Sequence, residues 1–385
     1  MKKYDVIIIG CGAAGLSAAR AALTNKRSVL ILDMGERPAR KVLVSGGGRC
    51  NFTNLAVGVN RYFGKNPDFV RSALSKVKPS DILDWAKSHR LNWIEKSPGQ
   101  FFCATNSADF VEALISDVNL ADIKTNTFVT DIEKKENKFI VKTKKSDYEC
   151  DSVIVATGGI SYPALDVSDF GYMIAKKFGH KIIPTRPALI SLKTPAFSPE
   201  LSGISINVEI KIGKNIISDS LLFTHSGIGG PAAYRASLYE FDNGIYINFL
   251  PGLDIYKWIM DSKKIDGKKL LQTMLMTKMT RNLAKWFSKD ITKNIADLSA
   301  KEVLEISKIL SEFYIPRNNL TRLGMQNAEV TFGGISTEFI SSKTMESKLC
   351  PGLYFVGEVL DIAGDLGGFN LHFAFASGLT AGGYA

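Results

Sequence analysis

The chain has 385 residues, 45% hydrophobic and 22% charged, with a net charge of +10. This suits a soluble globular protein of two or three domains and excludes a low-complexity or disordered chain. Five scattered cysteines without a C-x-x-C pair argue against a disulfide framework, a zinc site or other metal centre, and a dithiol redox centre.

Tyr4 to Ile9 is a short apolar run ending in Gly10-Cys-Gly12-Ala13-Ala14-Gly15, and an alanine-rich helical segment follows. A second apolar run, Ser28 to Leu32, closes on Asp33, 18 positions after Gly15. Strand, G-x-G-x-x-G, helix, strand and acid form a dinucleotide-binding pattern. The glycines let backbone approach a pyrophosphate at the positive end of the helix, and the acid accepts ribose hydroxyls. A tight turn without ligand would account for the glycines but not for Asp33.

Arg40 to Asn54 reads RKVLVSGGGRCNFTN. Three adjacent glycines make poor material for a core element, so this segment is expected to be a loop that brings backbone against a flat or charged group. Cys50 follows Arg49, a neighbour that can lower a thiol pKa, but packing beside a cofactor loop explains the cysteine equally well.

Two short helices are expected between Pro67 and Arg90, and another over Ala108–Val118. Lys124 to Cys150 alternates like a β-meander, and Asp151 to Ala156 then reads as a buried strand ending in Thr157-Gly158-Gly159. From Pro184 onward, prolines punctuate short β-like runs. These are interrupted by residues 253–312, where apolar residues recur at helical spacing among many lysines. A solvated basic face is the plainer account of those lysines, and a surface for RNA or membrane the alternative. Near the C-terminus, Gly352 to Val356 reads as a strand. Gly357, Glu358 and Asp361 follow it, and then Gly367-Gly368 feeds a helix beginning Phe369-Asn370-Leu371-His372. A helix opening without charge offers free N–H groups and a positive dipole end. Glu358 and Asp361 either bond ligand hydroxyls or cap turns.

Gly10 to Gly15, KVLVSGGGRCNFTN, the ATGG at 156–159, LLFTHSGIGGPA at 221–232 and the C-terminal block from Pro351 together resemble the HI0933-like family of bacterial flavoproteins. The resemblance spans essentially the whole chain. It implies an α/β architecture: a discontinuous Rossmann-type FAD-binding domain (1–185 and 345–385), an inserted β-barrel-like domain (186–252 and 313–344) and a small helical domain (253–312). Motif and resemblance together give an expected FAD-binding set. It comprises Gly10, Gly12, Ala13, Ala14, Gly15 and Asp33; Lys41, Ser45, Gly46, Gly48, Arg49, Cys50 and Asn51; and Val129, Ala156, Thr157 and Gly158. At the C-terminal end it adds Gly357, Glu358, Asp361, Gly367, Gly368, Phe369, Asn370 and Leu371. Two positions depart from the family pattern: Asp33 stands where Glu is usual, and His372 where Gln is frequent.

No second dinucleotide fingerprint and no cysteine pair is present, so a nicotinamide-disulfide reductase is excluded. The expected activity is an FAD-dependent oxidoreductase working on a small-molecule substrate. NAD(P)H, if used, reaches the flavin without a Rossmann domain of its own. His372, in the first turn of the last helix, is the candidate proton donor. The rival readings are an RNA-associated flavoprotein using the basic helical segment and a flavin-binding protein without turnover. RNA is ranked low because no stacking aromatics are interleaved with the lysines; DNA and a membrane span are not expected, and the expected location is cytoplasmic.

Overall fold

The computed structural model describes residues 1–97 and 99–385. The chain separates into two compact units: residues 1–187 with 328–385, and residues 188–327.

The first unit is built on a seven-stranded sheet. Strand β1 (Lys2–Ile9) lies between β2 (Val29–Leu32) and a long strand, Asp147–Val155, and is parallel to both. Strand β3 (Asp122–Lys124) extends the sheet beyond β2. The hairpin strands β4 (Val129–Lys135) and β5 (Lys138–Thr143) lead into Asp147–Val155, here β6. The expected meander and the expected returning strand are therefore continuous in β6. Its first half pairs antiparallel with β5, while its second half pairs parallel with β7 (Leu353–Phe355). The apolar second half fits a strand covered on both faces, and β2 is buried along its whole length for the same reason.

Helix α1 (Ala13–Thr24) and the last helix, α2 (Phe369–Gly382), pack together because their contact faces are small. A side chain on Gly378 would run into the Ala14 carbonyl, and one on Gly382 into that of Ala18. This close crossing brings the N-terminal motif and the C-terminal block into one layer.

The Arg40–Asn54 segment differs from the expected loop. Arg40 begins a helix, which breaks where Ser45 turns extended and Gly46 and Gly47 adopt left-handed angles; Asn51–Asn54 then forms a strand paired with Gln100–Cys103. The glycines thus end a helix rather than fill a loop. Residues 328–344, grouped with the β-rich segment in the sequence reading, lie in the first unit, where Val330–Ile335 forms a two-stranded sheet with Ile182–Ala188.

The second unit is an antiparallel sheet of seven strands, its longest being Ser205–Ile212 and Asn215–Thr224. Among the described residues no ladder joins its two edge strands, Phe313–Ile315 and Thr321–Arg322. Four helices, Ile255–Asp266, Leu271–Leu275, Arg281–Phe287 and Ala300–Ser311, share the hydrophobic core of this sheet through Ile259, Leu275, Leu283 and Val303.

Candidate cofactor site

The site builds from strand ends. Register places Ile9 beside Val155, so Gly10 and Ala156 emerge side by side; Ala156 N–H donates to the Ile9 carbonyl at 2.8 Å. Gly12 caps α1 without a side-chain hydrogen bond, leaving the first N–H groups of the helix, at Ala13, Ala14 and Gly15, without a capping acceptor. A Cβ at Gly12 would meet nothing within 4 Å, and the same holds at Gly158. Two open positions that follow adjoining strands, together with the uncapped N–H groups of α1, suit an anionic group.

Asp33 sits where the acid is expected. Its carboxylate accepts the Cys11 N–H at 2.6 Å and the Gly35 N–H at 2.7 Å, and so fixes the glycine turn. Val129 opens β4 on the same side, where Thr127 N–H bonds the Asp33 carbonyl at 2.8 Å.

Lys41 donates to Glu358 Oε2 at 2.6 Å and to Ser161 Oγ at 2.7 Å. Glu358 Oε1 in turn accepts the Thr331 N–H at 2.9 Å and the Ser161 hydroxyl at 3.1 Å. Ser161 and Thr331 were missed from the sequence, where a lone hydroxyl in a loop or a β-run carries no signal. Glu329, two residues before Thr331, has its carboxyl pushed up by burial, with Glu358 adding and Lys41 opposing.

Ser45 donates its hydroxyl to the Val42 carbonyl at 2.8 Å, Gly46 and Gly48 take left-handed angles, and Arg49 is exposed. Cys50 is fully buried, and burial raises its thiol pKa well above the ordinary value despite the neighbouring arginine. Asn51 donates to Gln100 at 3.3 Å, while its Oδ1 is buried without a partner.

The C-terminal block closes the site. Gly357 N–H donates to Ser377 Oγ at 3.0 Å. Gly367 accepts from Asn54, and Gly368 caps α2 with φ +92°, so close to Thr53 and Asn51 that a Cβ would stand 2.7 Å from the Thr53 carbonyl. Asn370 is bound to both backbone groups of Gly364, at 2.7 and 3.0 Å; Phe369 is buried and Leu371 half-buried. Asp361 is buried. One of its oxygens accepts the Lys65 N–H at 2.9 Å and the other has no partner, and burial raises its pKa. Thr157 Oγ1 is likewise buried without a partner. Three unpaired buried oxygens, on Asn51, Thr157 and Asp361, line the segments expected to hold a polar ligand; leaving such atoms unmet costs about 1–3 kcal/mol each.

His372 is different. Its ring is fully buried, with Nε2 at 3.0 Å from the Val77 carbonyl and Nδ1 at 2.8 Å from Thr53 Oγ1. Burial lowers its pKa to about 4. Both nitrogens are committed to protein, which argues for a positioning role rather than proton donation. A cavity of about 430 Å³ beside α1 and α2, lined by Trp85, Phe110 and Phe375 among others, includes none of the expected cofactor residues.

Glycine turn, an acid closing the second strand and uncapped helix ends on a parallel sheet define a Rossmann-like FAD-binding fold of mixed α/β type carrying an inserted antiparallel sheet. The fold resembles that of a flavocytochrome c3 fumarate reductase, at a TM-score of 0.50 and 16% identity over 99% of this chain and 78% of that one. Residues 4–384 match the model of the HI0933-like protein Rossmann domain, and the chain belongs to that family. It is 38% identical to a ribosomal RNA dihydrouridine synthase of Haemophilus influenzae, over 98% of this chain and 97% of that protein. Identity to the Escherichia coli protein of the same name is 35%, over 98% and 96%. A 3-dehydro-bile acid delta(4,6)-reductase of Clostridium scindens is 28% identical over 97% of each chain. The protein is an FAD-dependent oxidoreductase. The low rank given to RNA is corrected by the two synthases, whose names carry an RNA substrate. Interleaved aromatics are a criterion for single-strand stacking and do not bear on binding through phosphates. Among the described residues no helix is long and apolar enough to cross a membrane.

Proposed function

We propose that this protein reduces a uridine of ribosomal RNA to dihydrouridine. The observation that carries the reading is the identity of 35–38% to two ribosomal RNA dihydrouridine synthases along almost the entire chain. The chemistry agrees. The uracil C5=C6 bond is conjugated with the C4 carbonyl, so hydride adds at C6 and a proton at C5. The bile-acid relative's name describes the same type of reaction, saturation of carbon–carbon bonds conjugated with a 3-oxo group.

Reduced FAD supplies the hydride when bound, and NAD(P)H is the proposed source of its electrons. The unpaired oxygens of Asn51, Thr157 and Asp361 and the open backbone at Gly12 and Gly158 support FAD in this site. In this reading Gly12 to Gly15 and the first turn of α1 hold the pyrophosphate, Asp33 orients ribose, and Asp361 takes a cofactor hydroxyl. The first turn of α2, from Phe369 to Leu371, faces the electron-rich edge of the flavin, where its dipole favours negative charge. Lys41 and Glu358 brace the wall between them.

The test is incubation of FAD-loaded protein with protein-free ribosomal RNA and NADH or NADPH, followed by nucleoside mass spectrometry. Dihydrouridine, two hydrogens heavier than uridine, is expected. Rapid flavin reduction without any dihydrouridine in the RNA would overturn the substrate. Failure of either nicotinamide to bleach the flavin anaerobically would overturn the electron source.

A further inference from the structure

The second unit carries a stretch most of whose charges the fold leaves unanswered. Residues 267–289 contain six basic residues and no acid. Lysines in and around this stretch are paired at three places: Lys264 with Asp261, Lys269 with Asp266 and Lys293 with Glu302. Lys278, Arg281, Lys285 and Lys289 are exposed, and their side chains have no hydrogen-bond or ion-pair partner among the described residues.

Their placement is ordered. Arg281 and Lys285 lie one turn apart on the helix Arg281–Phe287 and share a face. Lys278 precedes Arg281 by three positions and Lys289 follows Lys285 by four. The helix is anchored through Leu283 and Ala284, which are fully buried in the core of the unit, so the basic side is held in a fixed orientation. Arg281 also opens this helix, with no acid in the first turn and no side-chain cap. A cation at that end opposes the macrodipole, so helix stability does not explain it.

We infer that Lys278, Arg281, Lys285 and Lys289 form an RNA-anchoring surface that takes the phosphate backbone of ribosomal RNA. The inference rests on the proposed RNA substrate. A duplex or folded RNA presents closely spaced phosphates, and four cations along one helix and its flanks match such a row through charge alone. Each contact releases counterions, giving an affinity that falls steeply with salt and is indifferent to sequence.

The experiment measures binding of the full-length, FAD-loaded protein to protein-free ribosomal RNA by fluorescence anisotropy between 50 and 200 mM KCl. Wild type is compared with a variant carrying Lys278→Gln, Arg281→Gln, Lys285→Gln and Lys289→Gln. At roughly 0.7 to 0.9 of slope per phosphate, the variant's log K against log salt is expected to be shallower by about 3 to 4; the wild type then loses about 50- to 150-fold more affinity over that range than the variant. Flavin content and the rate of flavin bleaching by NAD(P)H should be unchanged, which certifies the fold. A charge-conserving variant, Lys278→Arg with Arg281→Lys, Lys285→Arg and Lys289→Arg, should restore the wild-type slope. Equal slopes for wild type and the neutral variant overturn the surface, as does failure of wild type to bind RNA. So does loss of binding to phosphatidylglycerol vesicles with RNA binding intact, which would assign the patch to a membrane. Dihydrouridine formation separates the two proposals: product with equal slopes removes the surface alone, and different slopes without product remove the catalytic reading alone.

Discussion

Lys41 Nζ stands 2.6 Å from Glu358 Oε2, a bond between residues 317 positions apart. It ties the helix before the glycine turn to the loop after β7, and the Ser161 hydroxyl and the Thr331 N–H complete the set of donors to the carboxylate. Lys41→Met leaves Glu358, whose side chain is largely buried, with an unmet oxygen. The expected loss is about 1–3 kcal/mol of stability together with weakened FAD retention. Glu358→Gln keeps the size and an acceptor for Ser161 and Thr331 but sets its amide NH2 against the Lys41 ammonium, so it should cost about as much as Lys41→Met. Thermal unfolding and flavin content of the two single variants and the double variant measure the coupling. Additive losses would mean that the pair does not act as a unit.

Gly12 and Gly15 belong to one motif but should fail in different ways. A Cβ at Gly12 meets no protein atom within 4 Å, and its φ of −87° suits any residue. At Gly15 a Cβ would run into the Gly10 carbonyl, which cannot move without distorting β1. Gly12→Ala should therefore fold with near-normal stability and bind FAD at least about tenfold more weakly, a loss of roughly 1.4 kcal/mol. Gly15→Ala should lose stability directly, with or without FAD. Urea unfolding of the apoprotein and FAD titration separate the two. Normal FAD affinity in Gly12→Ala would remove the pyrophosphate from this turn.

The first ninety residues show what a sequence of this kind reveals. β1, α1, β2 and Asp33 were legible because glycine spacing and apolar runs are local signals, and the acid lands where the pattern puts it. The helix at Arg40 was not legible, since three glycines just beyond it mask a short amphipathic turn. β6 was split because its charged first half resembles a hairpin edge and only its second half resembles a core strand. Contacts such as Lys41 with Glu358, or Asn51 beside Gly368, join distant segments and leave no local trace. The basic stretch was legible as charge. Its partner was not, because charge names a class of ligand and leaves the molecule open.

His372 yields a prediction with a definite sign. The structure fits the neutral ring, with Nε2–H donating to Val77 and Nδ1 accepting from the Thr53 hydroxyl. Burial lowers its pKa from 6.5 to about 4, so between these values the unfolded chain binds the proton and the folded chain does not. Its contribution is complete above pH 6.5 and is lost progressively as pH falls toward 4, by up to about 3 kcal/mol. His372→Gln can keep a donor to Val77 and an acceptor for Thr53 but cannot titrate. Its stability should fall less than that of wild type between pH 6.5 and 4, while turnover near pH 7.5 stays within a few-fold. Denaturant midpoints across that range, with kcat measured alongside, provide the check. A large loss of kcat with intact flavin binding and unchanged pH dependence of stability would instead make His372 a participant in proton transfer.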